Sequence, residues 1–216
     1  MKLLNSFGPN PRAVRMFLIE KNIEIPFKEF DISSAENRCS EYLKKNPAGQ
    51  MPSLELNEGT VFGETTAICE YLEEKHPTPT LFGATAEARA NTRQWIRRVE
   101  LNITEHSYNG FRYGFGIDVF RDRLYVIPEA ADGLQAKAAD SKKWLDGQIA
   151  KREFIAGENF TFVDIVLYCC QDFVKDVGQP LDKGLKNLSS WFSRIDARPS
   201  AVASLHPSAA ERGRRG

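Results

Sequence analysis

The chain has 216 residues, of which 42% are hydrophobic, with 29 basic side chains against 29 acidic ones. That length suits one large domain or two small ones. The balanced charge argues against a global field for nucleic acid or an acidic membrane surface, and no run approaches the roughly 18 apolar residues of a membrane span.

The opening M-K-L-L-N-S-F-G-P-N turns polar too soon for a signal peptide and reads as a strand over 2–5. Gly8-Pro9-Asn10-Pro11-Arg12 joins it to a helix over 11–22, with Asn10 suited to the N-cap and Pro11 to the first helical position. Val14, Phe17 and Leu18 fall on one face of that helix. A helix N-terminus favours negative charge and lowers a thiol pKa. Asn10 and Ser6 are near enough in sequence to donate to a sulfur there, and with no cysteine at the turn the sulfur would be a ligand's. The run 26–32, P-F-K-E-F-D-I, alternates as a strand, and 35–45 reads as a short polar helix.

Two extended runs, 53–56 and 60–62, flank Asn57, Glu58 and Gly59, which is a hairpin signal. Pro52 opens the first run and removes a ladder donor, leaving the Met51 backbone at a site edge. Gly63 closes the second run, and Glu64-Thr65 starts a helix over 65–76, with Ile68, Tyr71 and Leu72 toward the core. Free N–H groups at that start would hold an anion. A backbone donor beside an anion pocket suits a small peptide-like ligand carrying carboxylates.

Pro77, Pro79 and Gly83 punctuate the chain, and a linker is placed at 78–85. The remainder reads as all-helical, over 86–115, 119–152 and 161–177 and in shorter pieces after Leu185. Thr161-Phe162-Val163-Asp164 has the form of a capping box, a structural role for Thr161 and Asp164. Tyr108, Phe111, Arg112, Tyr113 and Phe115 crowd a stretch interrupted by Gly110, Gly114 and Gly116, which weaken a helix and leave room for an apolar pocket. The four cysteines fit neither a disulfide framework nor a zinc site; Cys169 and Cys170 read as buried thiols, in keeping with a reducing cytoplasm. The three histidines have no partner at metal-ligand spacing, and the last residues, 206–216, read as a flexible basic tail.

Three segments, N-P-A-G-Q-M-P-S-L at 46–54, G-E-T-T-A-I-C-E-Y-L at 63–72 and G-E-N-F-T-F-V-D-I at 157–165, resemble the cytosolic glutathione S-transferases in order and spacing, over about 1–205. The resemblance implies an α+β protein: a thioredoxin-like β-α-β-α-β-β-α domain over 1–77, then an all-helical substrate domain over 86–205. It implies glutathione as co-substrate, no metal, an electrophile or disulfide as the second substrate, and a homodimer. By the same resemblance Glu64 and Thr65 hold the γ-glutamyl end, Met51 ahead of a cis Pro52 pairs with the cysteinyl unit, Gln50 lies near the glycine end, and the aromatic stretch lines the electrophile pocket. The chain departs from the family at Gly8. Counting four residues back from Arg12 reaches this glycine, where theta-, delta- and omega-like members carry Ser or Cys. G-P-N resembles the T-P-N turn of bacterial nu-like members, which makes Asn10 the first candidate for thiol activation and Ser6 the second. Two other activities fit the same resemblance, glutathione-dependent disulfide or peroxide reduction and non-catalytic ligand binding.

Overall fold

The run K-L-L-N forms strand β1 (Lys2–Asn5), and its Leu3 and Leu4 are fully buried. β1 runs parallel to β2 (Phe27–Glu29) and antiparallel to β3 (Ser53–Glu55), and β3 pairs antiparallel with β4 (Val61–Phe62), giving the order β2-β1-β3-β4. A parallel pair needs a crossover, and helix α1 (Pro9–Glu20) supplies it. Helices α2 (Ser40–Lys45) and α3 (Thr65–Lys75) complete the expected β-α-β-α-β-β-α order. Val14 and Phe17 of α1 and Ile68 and Leu72 of α3 have no exposed surface. Burying each such side chain stabilises the fold by about 1.5–3 kcal/mol. Tyr71, placed in the core from sequence, is only half-buried and tilts against Phe62, 5.1 Å between ring centroids. In this computed structural model all residues, 1–216, are described.

Two local expectations fail for identifiable reasons. Helix α1 begins at Pro9 and its N-cap is Gly8, so Asn10 lies inside the first turn. Pro9 satisfies the first-position preference as well as Pro11 does. The polar run 35–45 splits into a 3₁₀ turn, Glu36–Arg38, and α2, because Ala35 sits at φ 62 and Cys39 is extended.

The second unit, Leu81–Pro199, is helical throughout. Its helices are α4 (Ala86–Val99), α5 (Glu105–Tyr113), α6 (Ile117–Phe120), α7 (Ala131–Gln148), α8 (Phe162–Val174) and α9 (Lys186–Asp196). A π-helical turn, Glu100–Thr104, joins α4 to α5. The helix expected over 119–152 starts only at Ala131, behind a 3₁₀ turn led by Pro128. Gly110 does not break α5. A Cβ there would lie 2.6 Å from Gln135 Cγ, so the glycine lets α7 approach. Helix α8 is buried along its whole length and starts at the capping box of Thr161 and Asp164. Asp164 has no exposed surface. Its Oδ2 accepts the Thr161 N–H at 2.9 Å, and its Oδ1 accepts the Ile155 N–H at 3.0 Å and the Trp191 indole N–H at 2.8 Å. Burial raises the Asp164 pKa, and these hydrogen bonds oppose it.

The first unit comprises Met1–Thr80 together with Ser200–Gly216. The stretch 78–85 is not a free linker. Thr80 bonds Glu73 at 2.7 Å, whereas Leu81 and Phe82 are buried in the second unit, with Phe82 stacked on Phe162 at 5.0 Å. Residues 206–216 are not a flexible tail either. Helices α10 (Pro199–Ala203) and α11 (Ala209–Arg212) form, and Gly216 is buried. The cause is a pair of buried arginines on α1. Arg12 donates to Ala201 O at 2.8 Å, and Arg15 donates to Ser204 O at 2.9 Å and Gly216 O at 3.0 Å.

Candidate functional site

Strand register gathers the predicted site at one end of the sheet. Leu4 faces Ser53 across the β1–β3 pair, so the end of β1, leading into Ser6 and Gly8, lies beside the start of β3, led by Met51 and Pro52. Leu54 faces Phe62 across the β3–β4 pair, which brings Gly63, Glu64 and Thr65 to the same end.

The Met51–Pro52 bond is cis. The Met51 side chain packs with Leu4 and Tyr42, while its backbone N–H and C=O have no partner. The loop before it is fastened from below. The Tyr42 hydroxyl donates to Gln50 O at 2.6 Å and lies 2.9 Å from Ser53 Oγ. Asn46 Nδ2 donates to Gln50 O and to Ser53 Oγ, both at 3.0 Å. Asn37 Nδ2 reaches Gly49 O at 2.6 Å. Burial raises the Tyr42 pKa, which keeps its hydroxyl a donor. These bonds leave the Gln50 side chain exposed. Tyr42, Asn46 and Asn37 escaped sequence reasoning; the N-P-A-G turn was the one local signal that the loop needed fastening.

Glu64 sits at φ 63 as the N-cap of α3, a left-sided backbone that non-glycine residues seldom adopt. Its exposed carboxylate makes no hydrogen bond or ion pair, and the Thr65 N–H at the helix start has no partner. Strained backbone of this kind is concentrated at ligand sites. An acceptor for an amine and a donor for a carboxylate therefore stand side by side.

At the start of α1, Gly8 has φ 143, which excludes an ordinary side chain on conformational grounds. A Cβ there would meet only Pro11 Cδ, at 3.6 Å, so space is not the constraint. Pro9 and Pro11 carry no N–H, and the Arg12 N–H is spent on Gly8 O at 3.0 Å. Asn10 is therefore the one residue of the first turn that offers both a backbone N–H and a side-chain donor, and neither has a partner. Ser6 is placed differently. Its hydroxyl is fully buried and unpartnered, inside the unit and away from solvent.

The aromatic stretch divides. Tyr108 is turned into the core of the second unit, where burial and Cys170 hold its pKa well above the usual phenol value, so it does not line a surface pocket. Phe111 is half-buried at the centre of a cluster, with Phe173 at 5.1 Å, Phe120 at 5.9 Å and Phe115 at 6.3 Å. Phe115 is 61% exposed. Tyr113 is half-buried, and Arg112 bonds Asn109 at 3.0 Å while lying over the Tyr108 ring. No group of three or more metal-ligating side chains is present.

Two family models match the chain, one for the glutathione S-transferase N-terminal domain over 6–80 and one for the C-terminal domain over 126–199. The chain belongs to the glutathione S-transferase family. It is 31% identical over 198 residues to glutathione S-transferase 2 of Saccharomyces cerevisiae, covering 89% of this chain and 84% of that protein. It is 30% identical over 199 residues to glutathione S-transferase stcT of Emericella nidulans, covering 89% and 86%. Among solved structures, Gtt2 from S. cerevisiae superposes with a TM-score of 0.88 at 30% identity, over 95% of this chain and all of that one.

Proposed function

We propose that this enzyme, a glutathione transferase, lays its tripeptide along 50–52 and the start of α3 and activates the thiol at Asn10. The cysteinyl unit pairs with the free Met51 backbone, as an added strand would. The γ-glutamyl amine meets the Glu64 carboxylate, and its carboxylate meets the Thr65 N–H and hydroxyl. The glycine end lies by Gln50. Arg38 adds a cation there: its Nη1 donates to Ala48 O at 3.3 Å, and its buried Nε has no partner.

The observation that carries this reading is the pair of unpartnered donors on Asn10, at the positive end of a twelve-residue helix whose other first-turn N–H groups are missing at Pro9 and Pro11 or, at Arg12, spent on Gly8 O. Hydrogen bonds to the charged form and a helix N-terminus both favour a thiolate. The thiol proton leaves to solvent, and the sulfur then forms a bond to the electrophilic atom as the leaving group departs. No enzyme residue becomes covalently attached; the contribution is nucleophile activation and proximity. The half-buried Phe111 and Tyr113 and the exposed Phe115, with Arg112, are the electrophile side of the reading. The G-P-N turn supports a nu-like subtype. The three buried cysteines support a cytoplasmic enzyme, and family membership supports a homodimer. Ultraviolet titration of enzyme-bound glutathione tests the mechanism, since a thiolate that forms at the same pH as in free glutathione removes it.

A further inference from the structure

The C-terminal segment of the first unit carries a second constellation. Ser208 Oγ lies 2.7 Å from His206 Nδ1, and His206 Nε2 lies 3.1 Å from Glu29 Oε2. The surrounding donors fix the tautomer. The Ser208 backbone N–H donates to Nδ1 at 3.1 Å, so Nδ1 carries the lone pair, and the ring hydrogen sits on Nε2 facing the carboxylate. Glu29 is held in turn by the Asn5 amide, 2.6 Å from Oε1, and Asn5 by Arg15 at 2.8 Å.

Arg212 completes the arrangement. Its Nε donates to Ser208 Oγ at 3.1 Å. A guanidinium can only donate, so the hydroxyl's own hydrogen turns to Nδ1, whose one lone pair it shares with the Ser208 N–H. The guanidinium is fixed by Ser33 at 2.7 Å, by Asp31 at 3.3 Å and by the Phe7 ring beneath it at 4.9 Å. A hydroxyl bonded to an imidazole, itself oriented by a third group, is the arrangement of an activated nucleophile. Fixed positive charge beside the oxygen favours it as its proton departs. The His206 side chain is 14% exposed and Ser208 is half-buried.

We propose that Ser208 is a second nucleophile of this protein, acylated by small carboxylic esters with good leaving groups. Ser208 Oγ forms a bond to the acyl carbon while its proton passes to His206 Nδ1. The bond from the acyl carbon to the ester oxygen breaks, and the imidazolium returns the proton to the departing alcohol. Water then cleaves the acyl-serine, releasing the carboxylic acid and restoring the hydroxyl. The proposal does not depend on the glutathione site.

The test exposes the full chain, with its Ser208→Ala and His206→Gln variants, to a fluorophosphonate probe and to 4-nitrophenyl acetate. Peptide mass spectrometry locates the adduct. The probe mass is expected on Ser208 in the unaltered protein and absent from that peptide in Ser208→Ala. In His206→Gln the labelling rate should fall on the order of 10²-fold, the usual worth of a general base. Glutathione conjugation by Ser208→Ala should stay unchanged, which reports a folded protein. An unaltered chain without an adduct on Ser208 overturns the proposal. Labelling of Ser208 at full rate in His206→Gln overturns it equally, because the hydroxyl would then owe nothing to the imidazole.

Discussion

In the proposed mechanism Asn10 aims two donors at one sulfur, so its replacement has a signature that simple loss of binding lacks. In Asn10→Ala the backbone N–H stays and the amide goes. A hydrogen bond to a charged group is worth about 1.5–3 kcal/mol, so kcat should fall about ten- to a hundredfold. The KM for glutathione should change little, because Met51, Glu64 and Thr65 are untouched; equal losses in binding and turnover would speak against the role. The cysteines give a separate test at this scale. Cys39 is exposed, while Cys69, Cys169 and Cys170 are buried. One thiol should react with a disulfide reagent in the native protein and four after unfolding. Burial pushes the Cys170 thiol up from 9.0 to about 12. The native state thus keeps a proton that the unfolded chain loses, so this contribution to stability is whole below pH 9.0 and fades as pH rises toward about 12. Cys170→Ala should flatten the alkaline loss of stability relative to the unaltered protein, as chemical denaturation across that range would show. The cis bond before Pro52 and the helix start at 64–65 were legible because they are matters of backbone geometry, which Pro52 and the turn glycines mark. The burial of Ser6 and the inward turn of Tyr108 were not, since burial depends on neighbours far along the chain.

Elements were legible where periodicity is strong and punctuated, as in α1, α3 and the β3–β4 hairpin. They were misjudged where two signals compete. The two prolines of α1 both fit a helix start, and only the φ of Gly8 decides between them. Gly110 looks like a breaker along the chain yet is a contact point in space. Helix α8 shows a local motif with a larger role. The capping box of Thr161 and Asp164 predicts about one hydrogen bond's worth of stability, but the same carboxylate also holds Ile155 and Trp191. Asp164→Ala strands several buried donors at once and should cost on the order of 3 kcal/mol or more. Thermal unfolding would show a drop of several degrees, and a drop no larger than that of a surface cap would mean that Ile155 and Trp191 find other partners.

At the scale of the whole molecule, the chain's last residues return to the first unit, a closure that composition conceals. R-G-R-R-G reads as a solvated end, yet Arg12 and Arg15 are buried and take carbonyl acceptors from 201–216. Arg15→Met removes the donors to Ser204 O, Gly216 O and Ser6 O, so limited proteolysis should cut within 205–216 much faster than in the unaltered protein. Equal protection would mean that the segment is held by other contacts. The central claim concerns the sulfur at the start of α1, and the pKa of the glutathione thiol in the saturated complex, measured by thiolate absorbance beside free glutathione, tests it most directly. A value about one unit or more below that of the free tripeptide, rising again in Asn10→Ala, is the predicted result. A bound thiol that titrates with the free one, or no complex at millimolar glutathione, would contradict the account.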